Sequence, residues 1–124
     1  MNLKKYYRNL LSNSTDLTAL VDAGNIVSAY PNEVTVFPLV VYEDSDARDV
    51  AYSDNLPNGT TARVRVHIFT KTLSGYPTTG QIGEIIHGLF RADYWHCSMN
   101  GETADVDDSV RHRVMEFTRS FYSL

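Results

Sequence analysis

Arg63-Val64-Arg65-Val66-His67-Ile68-Phe69 alternates polar and apolar side chains with a period of two. Such an alternation is typical of a β-strand that has one face in the core and the other toward solvent. It predicts that the aliphatic residues at 64, 66 and 68 are buried and that the residues at 63, 65 and 67 form a polar face. A sheet of the antiparallel kind, covered on one side, fits this pattern.

The sequence after this strand predicts a turn, a helix and two further strands. Gly75-Tyr76-Pro77 is a turn, and Thr78 or Thr79 is the predicted N-cap of a helix. The helix has apolar residues at the i, i+3, i+4, i+7, i+8 positions, namely Ile82, Ile85, Ile86, Leu89 and Phe90. A β-prone segment covers residues 94–99, and a final strand is predicted from about Val110 to Tyr122.

The sequence before this strand predicts two helices and two strands. Apolar residues at 3, 6, 7, 10 and 11 indicate an amphipathic helix over about 3–12. A second helix begins with Ser14 or Thr15 as N-cap and stops at Gly24. Strands are predicted at 26–30 and 37–42. The fold class is therefore α+β, in the order α-α-β-β-β-α-β-β, as one domain over 1–124 whose mainly antiparallel sheet has its helices packed on one side.

Composition limits the classes of function. The formal net charge is −4 and basic residues do not run together, which argues against tight binding of DNA phosphates. Cys97 is the single cysteine, so an internal disulfide is excluded and a reducing cytoplasm is expected. There is no signal-peptide pattern and no apolar run of about 20 residues, so neither export by that route nor a membrane span is predicted.

A polar arm is predicted at about residues 44–60. It carries the carboxylates of Asp44, Asp46 and Asp49 and contains few apolar residues that could hold it against a core. We expect the arm to be mobile in the free monomer and to become ordered against a neighbouring subunit or a partner protein.

Candidate contact residues are aromatic, apolar or cationic side chains at positions expected to be peripheral. The chain contains eight tyrosines, a residue type enriched at protein interfaces. The alternative for any one of them is an ordinary place at the edge of the core. The predicted oligomer or partner contacts are Tyr6, Tyr7, Arg48, Tyr52, Leu56 and Tyr122.

No arrangement of residues points to catalysis or to a bound metal. The four histidines, at 67, 87, 96 and 112, lack the spacing of a metal site, and His67 and His112 are interpreted as polar strand residues. The acidic runs do not match a calcium loop and are interpreted as solvated. Neither a nucleophile elbow nor a phosphate-binding glycine loop is present. We therefore expect no enzyme activity, no cofactor and no metal.

The order of several segments resembles the tail-completion, or tail-to-head joining, proteins of long-tailed bacteriophages and prophages, which overlap with tail terminators. The resemblance covers most of the chain. It is carried by Asp16-Leu17-Thr18-Ala19-Leu20-Val21, Ile26, Tyr30-Pro31, Phe37-Pro38-Leu39-Val40-Val41-Tyr42-Glu43, the 64–66–68 strand and Arg111-His112-Arg113-Val114-Met115-Glu116-Phe117.

The resemblance implies a structural protein of the virion, assembled in the host cytoplasm. Such proteins form a ring, usually a hexamer, which caps the tail tube, contacts the head connector and leaves a channel for DNA. The partners implied are further copies of the chain, the tail tube protein and a connector or stopper protein. One alternative is a head-closure stopper or connector adaptor of the neck. Another, of a different class, is a small ligand-binding or hydrolytic α+β domain with a pocket between the helix of Ile82 to Phe90 and the sheet. A deep pocket lined by His67, His96 or His112 would favour it.

Overall fold

A computed structural model of the chain describes residues 3–29, 31–49, 59–103 and 109–122. At 45–49, 59, 60 and 122 the description covers the backbone alone. Tyr52 and Leu56, which were predicted as contact residues, lie outside the described residues.

The described residues form three α-helices, a short 3₁₀ turn and five strands, which confirms the α+β class. The helices are α1 (Leu3–Ser12), α2 (Thr15–Thr18) and α3 (Thr79–Ala92), and the 3₁₀ turn is Ala23–Asn25. The strands are β1 (Ile26–Val27), β2 (Leu39–Asp49), β3 (Gly59–Lys71), β4 (His96–Thr103) and β5 (Val110–Tyr122). The predicted bounds of α1 and β5 are confirmed.

The strands form one sheet in the order β1-β2-β3-β5-β4. Every pairing is antiparallel except that of β1 with β2, which is parallel and joins Ile26 to Val40. The central strand β3 is 13 residues long and therefore spans about 43 Å. It pairs with β5 along its whole length, from Gly59 opposite Tyr122 to Lys71 opposite Val110.

All three helices pack on one face of this sheet. Val64, Val66 and Ile68 of β3 are fully buried there, as the alternation predicts. The same core contains side chains from each helix, from β2 and from β5: Tyr7, Leu11, Leu17, Ile82, Ile86, Phe90, Val40, Tyr42, Met115 and Phe117. Phe90 and Phe117 stack with ring centroids 4.2 Å apart, so α3 lies directly on β5.

The opposite face of the sheet is only partly covered. At one end, Leu39, Val41 and Phe69 form a second apolar cluster with Val34 and Phe37 of the segment before β2. Toward the other end the face carries charged and imidazole side chains from β2, β3 and β5. One dry face and one polar face are the arrangement expected of an antiparallel sheet with helices on one side.

Local sequence signals explain where α3 begins. The Thr78 hydroxyl accepts a hydrogen bond from the Gln81 N–H at 3.1 Å, and the Gln81 side chain accepts one from the Thr78 N–H at 2.9 Å. This reciprocal capping box satisfies two N–H groups that a helix start leaves without partners.

Several predicted bounds are wrong. The second helix ends at Thr18 instead of continuing to Gly24, and the strand predicted over 26–30 has only the two residues of β1. Residues 44–49 and 59–60, assigned to the polar arm, continue β2 and β3 as paired strands. Strand β4 runs from His96 to Thr103 and so continues beyond the β-prone segment 94–99. Polar segments join a sheet because the hydrogen bonds of a ladder come from the backbone and do not require apolar side chains.

Candidate interaction surfaces

Several predicted contact residues meet at one end of the sheet. We call this the arm end: β2 finishes there at Asp49, β3 begins at Gly59 and β5 finishes at Tyr122. Arg48 is opposite Thr61, and Asp49 is opposite Thr60. The backbone positions of Asp46, Arg48, Asp49 and Tyr122 are therefore brought together across three strands. The sequence alone could not show this, because it does not reveal the register between β2, β3 and β5.

Two different outer edges border the sheet. Strand β4 forms one edge and pairs with β5 alone among the described strands. On the other side β1 pairs with only two residues of β2, Val40 and Val41. The outer edge of β2 from Tyr42 to Asp49 thus has no strand beside it within the described residues. Unpaired strand edges present backbone donors and acceptors to a partner.

The two tyrosines of α1 occupy different environments. Tyr7 is completely buried and packs against Tyr42, Phe90 and Trp95. The expectation that Tyr7 is peripheral and contacts a partner is therefore wrong for the folded subunit. Burial first, and then the nearby carboxylate of Asp44, raises the pKa of Tyr7. Among the described residues, its hydroxyl has no hydrogen-bond partner.

Tyr6 is half-buried and belongs to a polar cluster, here the Asp93 cluster, which joins α1 to the end of α3 and to β5. Its hydroxyl donates to the Asp93 carboxylate and accepts from Arg119 Nη1 at 3.0 Å. The same carboxylate pairs with Arg119 at 3.1 Å and accepts from Trp95 Nε1 at 3.1 Å. Burial, followed by the hydrogen bond to Asp93, raises the pKa of Tyr6. Sequence reasoning missed this cluster, since its members lie far apart along the chain.

Tyr94 occupies an uncommon backbone conformation at the end of α3. Its φ is 68°, the left-handed region that favours glycine. The Trp95 N–H donates to the Phe90 carbonyl at 2.9 Å and the Tyr94 N–H donates to the Arg91 carbonyl at 3.0 Å. These two bonds form a Schellman motif with Tyr94 at the position that glycine usually takes. The side chain is 84% exposed.

A chain of hydrogen bonds crosses the polar face of the sheet through four strands. His67 Nε2 lies 2.9 Å from Glu43 Oε1, and His67 Nδ1 lies 2.9 Å from His112 Nε2. His112 Nδ1 lies 3.1 Å from the Thr103 hydroxyl. All four ring nitrogens of the two histidines are thus engaged. The prediction that His67 and His112 are polar-face strand residues is confirmed.

A second polar group on this face surrounds Glu116. Its carboxylate pairs with Arg65 at 2.9 Å and with Arg63 at 3.3 Å. Because Glu116 is opposite Arg65 in the β3–β5 register, the pairing joins the two central strands. Two arginines of β3 thus share one carboxylate of β5.

A comparison with known protein families identifies the family of the chain. The family model of the tail completion protein gp17 matches residues 7–118 of the chain. The chain belongs to this tail completion family. It is thus a structural component of a bacteriophage virion and lies in the tail.

A solved structure of low sequence identity has the same fold. A chain of the virion of the native gene transfer agent (GTA) particle superposes with a TM-score of 0.61 at 12% sequence identity. The match covers 89% of this tail completion protein and 87% of that chain. No curated protein matches the sequence.

The polar face offers this tail completion protein an open depression and not a deep pocket. The depression, of about 380 Å³, is lined by His67, Arg65, Glu102 and neighbouring residues of β4 and β5. His67 and His112 are held by Glu43 and Thr103, and His96 lies elsewhere on β4. Among the described residues no group of three or more His, Cys, Asp or Glu side chains could hold a metal.

Burial raises the pKa of the Cys97 thiol, so its reactive thiolate is disfavoured at neutral pH. Within the described part of the chain, no helix is long and apolar enough to cross a membrane.

Proposed function

We propose that this protein forms a homo-oligomeric ring of six subunits that completes the phage tail, joins it to the head connector and surrounds a channel for DNA. The observation that carries the proposal is the family match over residues 7–118. The two unlike edges of the sheet add support. A ring needs head-to-tail contacts between two different surfaces of each subunit, and identical surfaces would close a dimer instead.

The charge of the chain is compatible with a channel through which DNA passes without being held. Six copies carry a formal charge of about −24 (6 × −4), since each copy carries −4. A net negative ring repels phosphates at distances within the Debye length, about 8 Å at physiological salt. Passage without specific binding follows from such repulsion.

The arm end is the proposed contact with the next subunit or with the tail tube protein. It combines the backbone positions of Arg48 and Tyr122 with the acidic residues Asp44, Asp46 and Asp49. Tyr52 and Leu56 lie in the connection between β2 and β3. Hydrogen exchange of residues 50–58 tests this part of the proposal, because amides that enter an interface exchange more slowly. Full protection of these amides in the isolated monomer contradicts it.

The ring itself is tested by light scattering of the purified protein, alone and mixed with tail tubes, followed by negative-stain images. We expect rings, or tubes whose ends are capped. A mixture with isolated head connectors separates the neck alternatives, since a stopper or adaptor would bind connectors in the absence of tubes. A compact monomer that binds neither tubes nor connectors would overturn the proposal.

A further inference from the structure

Tyr94 combines an unfavourable backbone conformation with an exposed ring. A residue with a β-carbon is strained at a φ of 68°, and a glycine would adopt this conformation without that strain. The ring is 84% exposed, and its contact within the subunit is with the Arg119 guanidinium, 5.9 Å from the ring centroid. Packing within the subunit therefore gives little compensation for a tyrosine at this position. Strained residues that persist in a fold point to a role outside folding stability.

Two arginines, Arg91 and Arg119, lie close to Tyr94 at the end of α3. Arg91 in the last turn of α3 and His96 at the start of β4 are both exposed. Arg119 lies beneath the tyrosine ring and is paired with Asp93. Among the described residues the Arg91 side chain has no ion-pair partner. An aromatic ring between cationic groups is suited to a segment that brings apolar and acidic side chains.

The position of Tyr94 in the fold indicates which segment reaches it. His96 is opposite Thr118, near the arm end of β5, so Tyr94 lies toward the same end of the sheet as the β2–β3 connection. The strand order nevertheless places β4 and β2 on opposite sides of the central pair. A ring with head-to-tail contacts needs two different surfaces on each subunit, and the arm end and the β4 edge are two such surfaces.

We propose that Tyr94, with Arg91 and His96 beside it, is the docking site for residues 50–58 of a neighbouring copy of this chain. The inference rests on the proposed ring and specifies one of its contacts. Residues 50–58 bring Tyr52, Leu56 and Pro57 to the aromatic ring and Asp54 to the cationic groups. Docking of a tyrosine-bearing segment on an exposed aromatic is a typical anchor of an interface.

The substitution Tyr94→Gly separates assembly from folding. Glycine relieves the left-handed conformation, so the melting temperature of the monomer should stay the same or rise by about 3–5 °C. The protein concentration at half-assembly should rise about tenfold or more, as for loss of an interface anchor. Tyr76→Ser is the matched control, because Tyr76 is an exposed tyrosine beyond the opposite end of β3. It should assemble like the wild type.

A disulfide test shows whether the contact is made between copies. Tyr94→Cys and Leu56→Cys are made in separate chains that also carry Cys97→Ala, and the two proteins are mixed under oxidising conditions. We expect a disulfide-linked dimer of the two different chains, which needs both sulfur atoms within bonding geometry. If the mixture gives no such dimer, the contact is overturned. A third chain carries both Tyr94→Cys and Leu56→Cys. If the disulfide forms only within that chain and not between copies, the contact between copies is also overturned.

The outcomes for the wild type distinguish this inference from the ring on which it rests. If the Tyr94→Gly variant forms rings as well as the wild type does, the Tyr94 contact is overturned and the proposed ring stands. A wild type that stays monomeric at every concentration, with tail tubes and without, would overturn both.

Discussion

Tyr6 and Tyr7 are neighbours in α1 and stabilise the subunit in different ways. Tyr7 fills space between α3 and the sheet, whereas Tyr6 places its hydroxyl on the Asp93 carboxylate at the rim of the core. One contributes through apolar burial and the other through charge-assisted hydrogen bonds. The helix is consequently held to the sheet at two points, one dry and one polar.

Substitutions at Tyr7 test its assignment to the core. We expect Tyr7→Phe to leave the free energy of unfolding unchanged or to raise it by up to about 1 kcal/mol, because a buried hydroxyl without a partner is removed. Tyr7→Ala should lower it by about 3–5 kcal/mol, the usual cost of a cavity of aromatic size. Urea unfolding followed by circular dichroism measures both. A Tyr7→Phe variant that is as unstable as Tyr7→Ala would contradict the assignment.

The same residue predicts a response to alkaline pH. Burial raises the pKa of Tyr7 in the folded chain, whereas the unfolded chain titrates near 10.0. Above that pH only the unfolded state loses the proton, so stability is retained below about pH 9 and falls above pH 10 by about 1.4 kcal/mol per pH unit. Tyr7→Phe lacks this loss. The difference between wild type and variant, measured by unfolding from pH 7 to 11, should be constant up to pH 9 and then change in favour of the variant.

Asp93 is the residue on which the polar cluster depends. Asp93→Ala removes the acceptor of Tyr6, Trp95 and Arg119 and should lower the free energy of unfolding by about 2–3 kcal/mol. Asp22→Ala is the matched control, since Asp22 is exposed and makes no side-chain capping bond. It should change stability by less than about 0.5 kcal/mol. Equal effects of the two substitutions would show that the cluster contributes nothing.

At the scale of elements, two glycines of α3 differ in the space around them. A β-carbon at Gly88 meets no atom within 4 Å, whereas one at Gly83 lies 3.0 Å from Arg113 Cδ and 3.4 Å from Met115 Sδ. Gly88→Ala should therefore stabilise the protein by about 0.5–1 kcal/mol through helix propensity. Gly83→Ala should be at least about 1 kcal/mol less stable than Gly88→Ala, because the Arg113 side chain, which donates to Thr79 and Asn100, must shift. Thermal unfolding of the two variants compares them, and equal melting temperatures would refute the close approach.

The elements that the sequence predicts best are those with a long, regular pattern. The alternation in β3 and the helical spacing in α3 each repeat at least twice. The sequence therefore shows which face of each element is buried. Strand β1 and helix α2 are too short for a period to appear, and their lengths are set by contacts with the rest of the fold. Residues 44–49 carry no apolar pattern, since their strand conformation comes from pairing with β3.

The interaction surfaces were less predictable than the elements, for a physical reason. Both tyrosines of α1 fit the same apolar stripe, and the sequence does not show which of them lies under α3. The Asp93 cluster and the hydrogen-bonded chain from Glu43 to Thr103 depend on strand register. A positive φ at Tyr94 has no sequence signal either, because a tyrosine occupies the position where a glycine is usual.

At the scale of the whole molecule, the connection between β2 and β3 should be needed for assembly and not for folding. Replacing residues 50–58 by Asn-Gly closes the two strands with a tight turn that suits an antiparallel pair. We expect a folded monomer with circular dichroism like that of the wild type and loss of ring formation in light scattering. The full-length chain with Ser53→Ala is the control. Rings of normal size from the shortened chain would contradict a role for this segment.

The place of β5 in the sheet affects how the protein is made. Among the described strands it is the last in sequence, yet it lies between β3 and β4 and pairs with both. Neither of these strands has its complete set of neighbours until residues 110–122 have left the ribosome, so the two pairings form only after this segment has been made. A message cut before this segment yields a chain with two incomplete strand pairings. Such a product exposes the edges of β3 and β4 that β5 covers in the complete sheet, and exposed strand edges promote aggregation.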